Sequence, residues 1–366
     1  MTISEITTFL QGIAPLSLQE DYDNSGLIIG DAKNNCSGIL VSLDVTEEVV
    51  MEAKENGCNL IVAHHPIVFK GLKKITGKNY VERTVIAAIK NDIAIYAVHT
   101  NLDNVMTGVN QKIAEKLNLI NCKPLLPKKG ILKKLVTFCP ELNADEVRKA
   151  LFEAGAGKIG KYSECSFNVG GTGTFKAMEG SNPTVGKIGE LHFESETRIE
   201  VIFPGYLEGQ ILKRLNDVHP YEEVAYYISS LENEWQEAGS GLIGELEKEM
   251  TERDFLDLLK INFNLSVIRH TSFLGGYIKK VALCGGSGFF LLNNAKNSGA
   301  QVYVTGDVKY HEFFDADNEI LLADIGHFES EQFTIDLIID FLKEKYANFA
   351  VLKTKINTNP INYYIG

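Results

Sequence analysis

With 366 residues, 45% hydrophobic and 23% charged side chains, the chain has the composition of a globular protein with a sizeable core, and its length predicts two or three domains. A formal net charge of −12 without a Lys/Arg stripe excludes a general nucleic-acid binder, which must neutralise phosphates. Cys36, Cys58, Cys122, Cys139, Cys165 and Cys284 form no CxxC pair, which excludes a zinc knuckle and a disulfide framework, while the absence of a leader pattern and of a membrane-length apolar run predicts a soluble, cytoplasmic protein with no membrane partner.

In chain order, Ser4 ahead of Ile6, Phe9 and Leu10 predicts an N-capped helix. Tyr22-Asp23-Asn24-Ser25-Gly26 is a turn-forming stretch whose acid and amide either close the loop or face a pocket. From Gly38 the pattern alternates, with strands over 39–43, 60–63 and 93–98 and helices over 46–56, 80–91 and 108–117. Such alternation implies right-handed crossovers and a largely parallel sheet.

Pro124, Pro127 and Lys128-Lys129-Gly130 then mark a boundary. Strand 135–139, helix 144–154, a glycine-rich extended stretch over 169–175, strand 198–203, helix 207–218 and strand 224–228 follow the β-α-β-β-α-β order of a ferredoxin-like plait. A polar return linker over 231–237 precedes helix 252–263, strand 280–284, the turn Gly285-Gly286-Ser287-Gly288, helix 289–298, strands 302–305 and 320–325, and helix 327–346. The expected fold class is α/β: one unit with a mixed or largely parallel sheet and helices on both faces, formed by 1–126 and 235–366 and interrupted by an inserted α+β plait over 127–234.

The chemistry gathers at strand ends. Strand 60–63 stops at His64-His65-Pro66, where the proline relaxes strand alternation so that both imidazoles can face one cavity, each toward a different ion. Alone, the pair equally describes a hydrogen-bonded structural feature. His99 and Asp103 follow the next strand, and Asp103 could bridge two cations or simply cap a loop. A later strand ends at Ile325, after which His327 and Glu331 share a helical face. Three imidazoles and two carboxylates without a thiolate suit a pair of divalent ions such as Zn, Mn or Fe, with a bridging water as nucleophile. His99 and His311 are candidate proton shuttles. Thr305-Gly306-Asp307, beside His311, could contact substrate, and Asp44 could support the ligand shell. Gly285-Gly286-Ser287-Gly288 either presents amides to an anion or makes a tight turn. In the insert, Gly170-Gly171-Thr172-Gly173-Thr174 is a phosphate cradle or a hairpin strand, and His219 with Glu222 a metal pair or packing.

Taken together, Tyr22-Asp23-Asn24-Ser25-Gly26-Leu27, Ala63-His64-His65-Pro66, His99-Thr100-Asn101-Leu102-Asp103, Cys284-Gly285-Gly286-Ser287-Gly288, Thr305-Gly306-Asp307 and His327 with Glu331 resemble the NGG-interacting-factor-like dinuclear metal centre family, often labelled GTP cyclohydrolase type 2 homologues. The resemblance covers both outer segments. It implies that His64, His65, Asp103, His327 and Glu331 are the metal ligands, with zinc as the first choice of ion. It also implies a toroidal homohexamer, and His219-Pro220-Tyr221-Glu222-Glu223 resembles the signature of a PII/CutA-like insert. Two departures are Tyr22 where the family usually has Trp, and Tyr310 before His311 where paired histidines are common. The expected function is a metal-dependent hydrolase acting on a small phosphorylated or nucleotide-like substrate. The alternatives are GTP ring opening and a non-catalytic metal-binding or ligand-sensing scaffold.

Overall fold

Thr2, not Ser4, caps the first helix, α1 (Ile3–Ile13): its side chain accepts from the Glu5 amide, and the Glu5 carboxylate accepts from the Thr2 amide at 2.6 Å. The reciprocal arrangement needs a hydroxyl three residues before a glutamate, a spacing that Thr2 has and Ser4 lacks. The computed structural model describes residues 1–364. It divides into two units, one formed by Met1–Leu126 with the described part of Glu237–Gly366, the other by Pro127–Gln236.

The first segment carries β1 (Gly26–Ile29), β2 (Ile39–Ser42), α2 (Glu47–Glu55), β3 (Leu60–Ala63), α3 (Tyr80–Lys90), β4 (Ala94–Ala97), α4 (Thr100–Asp103), α5 (Val109–Lys116) and β5 (Ile120–Lys128). Next come β6 (Leu132–Pro140), α6 (Ala144–Glu153), β7 (Phe167–Lys176), β8 (Leu191–Pro204), α7 (Glu208–Val218) and β9 (Tyr226–Ser230). The last segment holds β10 (Trp235–Thr251), α8 (Glu252–Asn262), β11 (Arg269–His270), β12 (Tyr277–Leu283), α9 (Leu292–Asn297), β13 (Val302–Thr305), β14 (Leu321–Asp324), α10 (His327–Glu331), α11 (Thr334–Lys345) and β15 (Val351–Lys353).

The α/β unit contains two sheets where one was expected. The first has the order β1-β4-β3-β2-β15, parallel except for β1, and the second runs β11-β14-β13-β12-β10-β5, with β12, β13 and β14 parallel. The difference lies in polar or very short strands that lack an apolar run: β10, glutamate-rich and taken in part as a linker, pairs with β12, and β15 returns to β2. Strands β2, β3, β4, β13 and β14 are buried at every position, as parallel strands covered on both faces must be. Strand alternation then assigns their side chains: Val41, Val62 and Tyr96 share one core with Val281, Val304, Phe255 and Leu342, whereas Leu40, Ile61 and Ile95 pack with Val49, Val50 and Ala88. Thus one apolar cluster joins both sheets. The expected long helix over 327–346 is two, α10 and α11, separated at Gln332 and Phe333.

In the second unit the order β7-β8-β6-β9, antiparallel throughout, is that of a ferredoxin-like plait. Val147 and Leu151 of α6 and Ile211 and Leu215 of α7 cover Leu135, Ile199, Val201 and Phe203 on one face, and β7 is exposed along most of its length. Among the described residues no helix is long and apolar enough to cross a membrane.

Candidate metal centre

Both parallel sheets of the α/β unit present their C-terminal strand ends to one cavity of about 490 Å³, the position where open α/β sheets place ligands. Asp44 follows β2, His64 and His65 follow β3, and His99 and Asp103 follow β4, while Cys284 follows β12, Asp307 follows β13 and His327 follows β14. The backbone ladder continues through the histidine pair, because the His64 and His65 amides donate to the Ser42 and Leu43 carbonyls at 3.2 and 2.9 Å.

Each imidazole has one nitrogen fixed. His64 Nδ1 lies 2.8 Å from the Val98 carbonyl, His65 Nδ1 is 2.8 Å from Asp44 Oδ1, and His327 Nδ1 is 2.7 Å from Asp307 Oδ2. Acceptors on Nδ1 aim every Nε2 inward and favour the Nδ1–H tautomer that a metal ligand needs once its Nε2 proton is lost. At the centre stands Glu331, fully buried, one helical turn after His327. Its Oε2 is 3.0 Å from His65 Nε2 and 3.1 Å from His327 Nε2, and its Oε1 is 3.7 Å from His64 Nε2, which in turn lies 3.6 Å from Asp103 Oδ1. The carboxylate that lies between the imidazoles in the structure is thus Glu331, with Asp103 beside His64.

Three overlapping donor sets result: His64, Asp103 and Glu331; His65, His327 and Glu331; and His64, His65 and His99. Metal ions fit them on two observations. His64 Nε2 and Asp103 Oδ1 are buried without a hydrogen-bond partner, a cost that a cation between them would remove. His65 Nε2 and His327 Nε2 also converge to 3.2 Å, an approach of two ring nitrogens that a shared cation would account for.

Electrostatics point the same way. Burial opposes charge on His65, but its bonds to Asp44 and Glu331 win and raise it to about 9; burial likewise opposes charge on His327, and the Glu331 and Asp307 carboxylates raise it to about 11. For Glu331, burial is outweighed by the His64 and His327 imidazoles and the carboxyl lies well below its ordinary range, whereas burial lifts Asp103 above it. Metal binding must therefore displace imidazole protons at neutral pH. Apparent metal affinity should rise about tenfold per pH unit for each proton displaced, levelling near pH 9 for His65, as a competitive chelator titration would read. The sign for stability is opposite: in the chelated protein the His65 contribution is complete below about pH 6.5 and lost as pH climbs through about 9, so melting temperature should fall over that interval.

Glycines make room for the cluster. Gly286 has φ +60°, and a Cβ there would lie 2.3 Å from Glu331 Oε1; at Gly306 it would lie 2.9 Å from the His327 amide nitrogen. The turn's amides are already used, since Gly285, Gly286 and Gly288 donate to Asn110 Oδ1, Ser330 Oγ and Thr305 Oγ1. That supports a tight turn and leaves an anion cradle without those three donors.

A family model for DUF34/NIF3 (NGG1p interacting factor 3) matches residues 1–360. The chain belongs to the DUF34/NIF3 family. A relative from Halalkalibacterium halodurans named GTP cyclohydrolase 1 type 2 homolog is 40% identical over 355 residues, 96% of this chain and 95% of that protein. The crystal structure of a Bacillus cereus protein related to NIF3 superposes with a TM-score of 0.88 at 39% identity, covering 100% and 99% of the two chains. The Staphylococcus aureus protein SA1388 follows with 0.77 at 29%, again over 100% and 99%.

In this DUF34/NIF3 chain the structure brings together His64, His65, Asp103, His327 and Glu331, with His99 beside them. His99 Nδ1 is held 2.8 Å from Asp23 Oδ1, and Asp23 also accepts from Ser25 and Thr100. Hence the acid and amide of Tyr22-Asp23-Asn24-Ser25-Gly26 serve the loop, Asp23 by holding His99 and Asn24 by bonding the Val68 carbonyl, while Tyr22 lines the cavity wall. His311 is not brought to the cavity: exposed on a 3-10 helix over Tyr310–Ala316, its ring meets Tyr310 and Phe314. Asp307, a candidate for substrate contact in the sequence, lines the cavity and also orients His327. Asn359, Pro360 and Ile361 of the C-terminal segment also line the cavity, and no periodicity or motif pointed to them. Replacing Asp44 or Asp307 with Asn should weaken metal binding roughly 10–100-fold while leaving the fold intact, measurable by dialysis and elemental analysis.

Proposed function

We propose that the protein is a dinuclear divalent-metal hydrolase of a small phosphorylated or nucleotide-like substrate. The observation that carries this reading is the placement of Glu331, which turns Oε1 toward His64 and Asp103 and Oε2 toward His65 and His327. One ion would be held by His64, Asp103 and Oε1, the other by His65, His327 and Oε2. Zinc suits this imidazole and carboxylate set first, with manganese and iron as alternatives. When bound, such a pair supplies an acidified water and polarises a phosphoryl or carbonyl oxygen.

The chain's own residues supply the remainder. Val98, Asp44 and Asp307 fix the imidazole tautomers. His99, anchored through Nδ1 by Asp23, offers Nε2 for moving a proton at the leaving oxygen. Tyr22, Phe69 and Phe290 in the wall would receive a flat, apolar portion of the substrate.

The wall also weighs against ring opening of GTP. It contains Glu20, Asp44, Asp103, Asp307 and Glu331, and among the described residues no lysine or arginine. Two divalent ions can neutralise one phosphoryl group, but the rest of a triphosphate would face carboxylates. Lys70, Lys73, Lys74 and Lys78 follow Phe69 in an exposed segment outside that wall. Single-turnover assays of the zinc-loaded protein with p-nitrophenyl phosphate and with GTP test the reading. Phosphate release that His64→Ala and Glu331→Ala both abolish is expected, together with no formate from GTP. Hydrolysis that survives in metal-free variants would reject it.

A further inference from the structure

The glycine-rich strand and His219-Pro220-Tyr221-Glu222-Glu223 have no part in the metal centre, yet they converge within the Pro127–Gln236 unit. There they line a second cavity, of about 670 Å³. Its floor is β7, where Gly173 is the position that requires a glycine. A Cβ at Gly173 would lie 2.0 Å from Glu196 Oε2, so only a glycine lets the Glu196 side chain lie diagonally across the strand. From the other side Tyr221 donates its hydroxyl to Glu196 Oε1 at 2.9 Å. The carboxylate is thus held in one place, at the edge of a concave aromatic surface. Phe138 and Tyr227 meet edge to face at 5.7 Å, and Phe175 and Tyr221 pack with centroids 6.2 Å apart.

His219 belongs to the scaffold. Its Nε2 donates to the Phe138 carbonyl at 3.0 Å and its Nδ1 accepts from the Tyr221 amide at 3.1 Å, so both nitrogens are occupied and a metal pair with Glu222 has no free imidazole. Glu222 accepts from the Asn182 amide at 2.8 Å, which ties the 177–190 loop over one end of the cavity.

Charge decides what the cavity can take. Glu196, Glu222 and Glu223 face it, against Lys176 and Arg198, and Arg198 is spent on Glu200 at 2.7 Å. An anion such as a phosphate would meet carboxylates. Bare calcium or magnesium wants six or more oxygens and zinc wants imidazole or thiolate donors, neither of which walls of Phe138, Phe175 and Tyr227 provide. An ammonium or guanidinium group, in contrast, donates to carboxylates and is attracted to aromatic faces.

We propose that this cavity binds an organic cation of the alkylamine class, its charged nitrogen on Glu196 and its apolar segment against Phe138, Phe175 and Tyr227. Spermidine is the probe, titrated calorimetrically into the full-length, zinc-loaded protein at physiological ionic strength. Saturable binding at one site per chain is expected. Glu196→Gln should weaken it roughly tenfold or more, the effect of removing a charge-assisted hydrogen bond, and Gly173→Val, which fills the floor, should abolish it. Tyr221→Phe, which removes only the hydroxyl that holds Glu196, should weaken it less and serves if Glu196→Gln does not fold. Magnesium at matched ionic strength should not displace the probe. Absence of saturable binding overturns the proposal, as does equal binding to Gly173→Val, or displacement by magnesium, which would mark a diffuse ion atmosphere. An oligomer that dissociates in Gly173→Val while no probe binds also overturns it, assigning the face to a second copy of the chain.

Discussion

If the proposed dinuclear centre holds two ions per chain, Glu331→Gln is expected to strip both, taking metal content toward none by elemental analysis. The carboxylate is the one group shared by the His64–Asp103 and the His65–His327 sets, so its loss removes a charged ligand from each. Loss of a group that merely orients a ligand costs about 10–100-fold in metal affinity, and a direct ligand at two positions should exceed the upper end of that range. The same change weakens the metal-free chain. Glu331 is 3% exposed and lies 3.0–3.1 Å from two imidazoles, and removing one partner of such a buried set costs about 3 kcal/mol. His65 and His327, without their carboxylate, should titrate nearer the ordinary imidazole range. The melting temperature of the chelated variant should therefore lose much of its dependence on alkaline pH. A variant that retained two ions per chain would exclude Glu331 as the shared ligand and with it the dinuclear reading.

The place of Glu331 between the imidazoles was the part of the site least legible in the sequence. His64, His65, Asp103, His327 and Glu331 stood out because each lies at or just beyond a strand end, and parallel strands bring their ends to the same side. Which carboxylate sits between the imidazoles depends on how two sheets face each other. The second sheet was hidden because β10 is held by pairing with β12 rather than by an apolar run of its own, and the first was missing β15, three residues long, which pairs with β2. Asp23 shows the same limit. Within its own stretch it is an ordinary turn residue, and only contacts 76 and 77 residues away, to His99 and Thr100, give it a place in the site. The plait was legible because its strands and helices alternate in a fixed order and its helices carry clear apolar faces. Its glycine-rich strand was ambiguous because the side chain that needs Gly173, Glu196, arrives from a neighbouring strand.

Gly286→Ala tests whether the two donor sets are separable. The added Cβ is directed at Glu331 Oε1, the oxygen nearer His64 and Asp103, at 2.3 Å, while His327 Cε1 is at 3.3 Å. Neither neighbour is a free chain end: the Gly286 amide is bound to Ser330 Oγ at 2.9 Å, and Oε2 of the same carboxylate is held by His65 and His327. The left-handed φ of +60° adds about 1–2 kcal/mol for a residue with a Cβ. Relief is simplest by rotating the carboxylate about its His65 and His327 contacts, which carries Oε1 away from His64 and Asp103 while Oε2 stays in place. The expected outcome is a folded protein with a lower melting temperature that retains the ion at His65 and His327 and loses the one at His64 and Asp103, so that elemental analysis falls from two ions toward one. The hydrolysis proposed above, which would need both, should fall with the lost ion rather than with the retained one. Parallel loss of both ions in the folded variant would show that the sets fill as a single cooperative unit.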